Sequence, residues 1–385
     1  MNRSRFRRSV ISAPLAVVAT LVLAGNLLAA PPNWTAAVNI RSADDIQLGD
    51  ADFAGHNVAI AWDEPGANRR RAGFAFSDDN GADFSSPPFS AASREPAIDL
   101  CDGVEPNAAY SHRIGPGNWV IEHTLFDSFD SSFTQQVAPT GGVQHDPDIA
   151  CAGGRLFVSW FEREGGGDRL FVAHGERAGG EFSAPIDLGF DAESRAFSGL
   201  VVAGVNDSAY AAFRRTSGDL RFKRWLVGAG PDYPVATSPT VVIGPGTVDE
   251  PAFQPVIAAA GDKVAVAWMT CSAVLARVSN NKGLTWGPIR TLVEHAACDG
   301  DFIAAPNSIA VRGDRIALEY TSFGIVGDGE ENLIRTQSDF AAFQDDIISN
   351  SAHFNHLVGF LRVGGENKLA GVFQRMDDVR FHRQI

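Results

Sequence analysis

One phrase of strand, glycine turn and strand recurs about every fifty residues along this 385-residue chain, and it constrains the fold more than any other feature. The clearest copy is Gly261-Asp262-Lys263-Val264-Ala265-Val266-Ala267-Trp268. Related copies run over Gly55 to Trp62, Gly154 to Trp160, Asn206 to Phe213, Gly313 to Tyr320 and Gly364 to Phe373. Anchors at Gly55, Gly153, Gly204, Gly261, Gly313 and Gly364 stand 98, 51, 57, 52 and 51 residues apart, the first interval being about two periods. An all-strand repeat of this period, with four short strands per unit, predicts a single all-β β-propeller domain.

Within one period the order is constant. In the fifth repeat, Pro255 to Ala260 is expected as the first strand, Lys263 to Met269 as the second, Val274 to Ser279 as the third and Trp286 to Val293 as the fourth. Val264, Val266 and Trp268 alternate with Ala265 and Ala267, as befits a sheet covered on both faces by neighbouring blades. Seven second strands are predicted, the irregular copy being placed at Trp119 to Thr124; if that copy is an insertion, six blades remain. The chain ends on a third strand, Val379-Arg380-Phe381-His382, and Trp34 to Ile40 reads like a fourth. The N-terminal strand is therefore expected to close the ring and remove an exposed sheet edge.

Residues 1–30 carry Arg3, Arg5, Arg7 and Arg8, then an apolar run and small residues before Pro31-Pro32, the pattern of a secretory signal peptide, with an uncleaved anchor as the alternative. Arg7-Arg8 also fits a twin-arginine signal, and the pattern does not separate the two export routes, or periplasm from secretion. Removing this segment loses four arginines and no acid, taking the net charge from −14 to −18. So acidic a domain, over 31–385, is repelled by nucleic acid and anionic lipid, and no membrane insertion is expected after cleavage. A monomer is expected. Four cysteines in an exported chain suggest two bridges, Cys101 with Cys151 and Cys271 with Cys298; a metal site is the competing reading, without CxxC spacing to support it.

Ser77-Asp78-Asp79-Asn80-Gly81-Ala82-Asp83-Phe84 fits the pattern Ser-x-Asp-x-Gly-x-x-aromatic at the predicted turn between third and fourth strands. Ser279, Asn281, Gly283 and Trp286 repeat it about four periods later, with Asn281 in place of the acid. The acid or amide caps turn amides, glycine supplies positive φ and the aromatic plugs the space beneath. These turns resemble the Asp-box repeats of the sialidase-like propellers, and His174 to Phe182 and Gln337 to Phe343 occupy the same places in eroded form. The resemblance implies that the boxes are structural and lie opposite the ligand face. It implies further that a sialidase would need three arginines, an Asp acid/base and a Tyr nucleophile with a Glu partner. Asn39-Ile40-Arg41-Ser42 is the nearest counterpart of the family's first arginine segment, lacking its Phe and Pro.

Loops into the innermost strands and out of the second strands should converge around the axis. Candidate catalytic carboxylates there are Asp44, Asp45, Asp146, Asp148, Glu250 and Asp301, with Arg41 as the carboxylate ligand of a sialidase-like site. Arg214 and Arg375 are candidates for the same anion, for which planar guanidinium groups are suited. His145 beside Asp146 is a candidate acid/base or ligand, against a plain Asp-Pro turn. Tyr320 is a candidate ligand contact, against the aromatic core slot used by Trp62, Trp160 and Trp268. No cofactor is expected; a structural calcium ion, on Asp127 to Asp130 for example, is left open.

The expectation is an exported propeller that recognises a glycan or another extracytoplasmic ligand on its axial face without catalysis. Glycoside hydrolysis of sialidase-like type and protein scaffolding are the alternatives.

Overall fold

The computed structural model describes residues 34–384 apart from 67–68, 88–91, 128–130, 139–140, 165–166, 178, 192–199, 206, 229–235, 245, 247–251, 295–301, 325–328, 350–355 and 376–377. The proposed leader, residues 1–30, thus lies outside the described residues, as do Glu250, Asp301 and Cys298.

The described strands form seven antiparallel sheets, and these are the blades of a seven-bladed β-propeller. Blade 1 has Gln47–Ala54, Asn57–Pro65 and Arg70–Ser77, with a single bridge between Phe76 and Ser85 in place of a fourth strand. The innermost strands of the next blades are Ser93–Cys101, Val143–Ala152, Leu200–Val205, Phe253–Ala260, Phe302–Arg312 and His356–Val363. In blade 2 the second strand is Glu105–Gly115, and the expected Trp119 to Thr124 belongs instead to the third strand, Asn118–Asp127. The blade count is unaffected. The strand was misplaced because its turn is Cys101-Asp102-Gly103, where Asp102 and Gly103 both take positive φ and no Gly-x-x phrase precedes it.

Ring closure runs as the sequence suggested. Val38–Ser42 pairs with Asp378–Arg383 as the outermost strand of blade 7, Trp34 bridges Gln384, and the Trp34 indole stacks on His382 at 4.1 Å.

The core is distributed between the blades, because each sheet is apolar on both faces. Seven hydrophobic clusters occur, one at each seam between neighbours. Val264, Val266 and Trp268 face blade 4, while Ala265 and Ala267 face blade 6, so period-2 alternation splits one strand between two seams. Tyr320 joins the seam between blades 5 and 6, where it donates to Asp345 at 2.8 Å. Its slot is the one Trp268 fills one blade earlier.

The two Ser-x-Asp/Asn-x-Gly turns have the expected geometry. Ser77 Oγ accepts from Gly81 N at 2.9 Å, Asp79 Oδ1 accepts from Asp83 N at 3.0 Å, and Phe84 packs edge-on against Phe381. At the second turn, Ser279 Oγ accepts from Gly283 N at 2.9 Å, Asn281 Oδ1 accepts from Thr285 N at 2.8 Å, and Trp286 packs on Phe222. Gly81 has φ of 75°, and a Cβ there would collide with the Phe381 ring, so glycine is required twice over.

Cys101 and Cys151 are bridged, joining the innermost strands of blades 2 and 3. Cys271 is also in a disulfide.

Candidate functional site

An innermost strand has one edge without a neighbouring strand, and its N–H groups must find other acceptors. Side chains from the preceding blade supply them. Asp50 accepts from Ile98 N and Asp52 from Leu100 N, each at 2.8 Å; Asp99 accepts from Cys151 N at 2.6 Å; Ser308 Oγ accepts from Val358 N at 2.9 Å. The ring formed in this way encloses an axial cavity of about 900 Å³.

The wall acids are enclosed within the ring although they border the cavity. That enclosure disfavours their charged form: it pushes Asp50 up to about 6, against the N–H bonds of Ile98 and Ala51. Asp99 is pushed well above the usual carboxylate range by the same burial, reinforced by the negative charge of Asp52.

At the mouth, three carboxylates from blades 1, 2 and 3 form a relay. Asp63, at the end of a second strand, accepts the backbone N–H of Glu95. Glu95 Oε2 in turn accepts the backbone N–H of Asp146 at 2.9 Å, and the Ser111 hydroxyl at 2.9 Å. All three residues line the cavity. Each is backed by a base: Arg70 Nε lies 2.8 Å from Asp63, Arg94 Nε lies 3.2 Å from Glu95, and His145 Nδ1 lies 2.8 Å from Asp146. Burial pushes Asp63 up to about 6, with Arg70 pulling the other way and the Glu95 charge adding to the rise.

The backbone aims these groups at some cost. Glu95 and Asp146 have φ of 54° and 46°, and each precedes a proline in a bulged segment of its innermost strand. Gln254, before Pro255 in blade 5, repeats the geometry with φ of 43°. A left-handed conformation at a residue with a Cβ costs roughly 1–3 kcal/mol and clusters at functional sites.

The expected site residues fall into distinct places. Asp146 faces the cavity at its mouth, and Asp148 lines it deeper, with Oδ1 accepting from Ile149 N. His145 is fully buried, stacked on Phe161 with its Nε2 3.1 Å from Asp168 and its Nδ1 2.8 Å from Asp146. Asp44 is exposed at the rim, and Asp45 is tied to Arg70 at 2.6 Å. Arg41 forks onto Glu64 through Nε at 2.7 Å and Nη2 at 3.0 Å, in the seam between blades 7 and 1. Arg214 is 2% exposed with its guanidinium over Phe253, and Tyr320 is 4% exposed; neither is among the described residues that line the cavity. Arg375 ends the second strand of blade 7, and its side chain is outside the described residues. Among the described residues no group of three or more His, Cys, Asp or Glu is placed to hold a metal ion.

Asp63 and Glu95 were not among the expected catalytic set. A signal for Glu95 was present: Glu95-Pro96, Asp146-Pro147 and Gln254-Pro255 recur at one phase of the repeat.

No family model and no curated protein matches this sequence. Solved structures do match. A PL25 ulvan lyase superposes with a TM-score of 0.57 at 9% identity, over 90% of this chain and 95% of that one. The polysaccharide lyase Uly1 gives a TM-score of 0.51 at 8% identity, over 88% and 90%. The endosialidase of phage phi92 gives 0.50 at 10% identity, over 92% of this chain and 69% of that one. At such identities the likeness is one of fold alone, a β-propeller in each case.

Proposed function

We propose that this chain is an exported propeller that binds a glycan at the mouth of its axial cavity without transforming it. The carrying observation is the relay of Asp63, Glu95 and Asp146, which presents carboxylate oxygens from three blades to one concave space. Carboxylates held by fixed donors are good acceptors for sugar hydroxyls, and the strained backbone beneath Glu95 and Asp146 keeps them in place. The structural neighbours named as polysaccharide lyases and endosialidase support a glycan ligand on this architecture. The Cys101–Cys151 bridge and the leader-like first residues support export.

Binding is favoured over catalysis because the sialidase set is not assembled among the described residues: Arg41 is engaged by Glu64 and Tyr320 is core. One observation favours hydrolysis as a second reading. Burial pushes Asp63 up to about 6 in the cavity wall, the direction that a general acid working near neutral pH needs.

A glycan array probed with the purified chain, followed by titration of any hit against Asp63→Asn, tests both readings. Binding without turnover, weakened tenfold or more in the variant, is the expected result. Turnover of a fluorogenic glycoside that disappears in Asp63→Asn would move the chain to the hydrolases. An empty array would remove the glycan reading.

A further inference from the structure

We infer that the ligand is an uncharged glycan, read through its hydroxyl groups, and that carboxylated or sulfated sugars are turned away at the cavity mouth. This rests on the glycan-binding reading above and narrows it.

The charge on this face decides the matter. Among the described residues, seven acidic side chains line the cavity against one basic one, Arg312, whose Nη1 lies 3.5 Å from the Phe360 carbonyl. A ligand carboxylate or sulfate needs guanidinium donors turned toward it. The nearby arginines turn toward protein carboxylates instead: Arg70 to Asp63 and Asp45, Arg94 to Glu95, Arg163 to Asp168, and Arg41 with Arg71 to Glu64. An anion entering here meets acceptors where it requires donors.

A cationic sugar is not favoured by the same walls. Asp63 and Glu95 already carry Arg70 and Arg94 as counter-charges, and burial keeps Asp50 and Asp99 inclined to hold their protons. A sugar hydroxyl asks for an acceptor and brings no net charge, which matches what the relay presents.

Calorimetric titration with matched oligosaccharides tests the inference: a neutral hexose oligomer hit from the array, its uronate counterpart and its amine counterpart. The neutral oligomer is expected to bind and the uronate at least tenfold more weakly. Glu95→Gln and Asp146→Asn, which put amide donors where the chain has acceptors, should narrow the gap between neutral and uronate ligands, and the ratio measured on the unaltered chain decides the matter if either variant fails to fold. A uronate or sulfated ligand bound as tightly as the neutral one overturns the inference and leaves glycan binding standing. Tighter binding of the amine overturns it toward a cation site. No binding of any glycan removes the reading on which it rests.

Discussion

The Glu95 carboxylate caps the backbone N–H of Asp146 at 2.9 Å, so a side chain of blade 2 fixes the bulge of blade 3. Glu95→Ala leaves that N–H and the Ser111 hydroxyl without their acceptor in a partly buried place. The expected cost is about 1–3 kcal/mol of stability. Denaturant titration checks it, and an unchanged midpoint would mean the cap contributes nothing.

Acidity should stabilise the ring over a defined window. Asp50 and Asp63 rise from an ordinary value of 3.8 to about 6 in the folded chain, so folding takes up protons between those values. Their contribution is fully present below about pH 4 and is lost as pH climbs through 6. His123 and His382, pushed down to about 4 by burial, and His174, lowered by the same cause, act oppositely across the same window, because the unfolded chain takes up their protons first. The whole-chain profile is therefore a difference of opposing slopes, and the test is Asp50→Asn against the unaltered chain: the variant's relative stability should rise between pH 4.5 and 7. A difference that stays flat across this interval would contradict the assignment.

Arg41→Ala offers a contrast between structure and binding. Arg41 is partly exposed while Glu64 is buried, so losing the fork should destabilise by about 1–2 kcal/mol, softened by Arg71 and Trp62, which also hold Glu64. Glycan affinity should not change. A large loss of affinity with unchanged stability would restore Arg41 as a ligand contact.

Reduction of the Cys101–Cys151 bridge opens a loop of 50 residues at the seam of blades 2 and 3. Chain-entropy reasoning puts the loss at about 4 kcal/mol, some of which strain can offset. Paired Cys101→Ser and Cys151→Ser substitution, followed by thermal melting, measures it directly.

How much of this was legible from sequence differs by level. The Gly-Asp-Lys-Val-Ala-Val-Ala-Trp phrase carries its own geometry, a turn glycine and an alternating strand, so the repeat, the fold and the closing strand could be read from it. Trp119 to Thr124 was misplaced because blade 2 turns on Asp102-Gly103, without the usual phrase. The site was less visible. Asp63 and Glu64 are adjacent in sequence, yet strand alternation sends one toward Arg70 and the other toward Arg41, and only the partners across the seams distinguish them. Arg214 and Tyr320 looked like ligand contacts because a polar or aromatic residue at a strand end can face solvent or a neighbouring blade, and local pattern does not say which.

Pairing of Val38–Ser42 with Asp378–Arg383 sets an order on biosynthesis. The last blade cannot be completed until the ribosome has made its third strand, so the strand that closes the ring waits, unpaired, while all the blades between are translated. Until then the seams of blade 7 lack their final cover, and the axial cavity has no closed wall. A closed cavity is consequently a property that the chain acquires all at once, when those two strands meet.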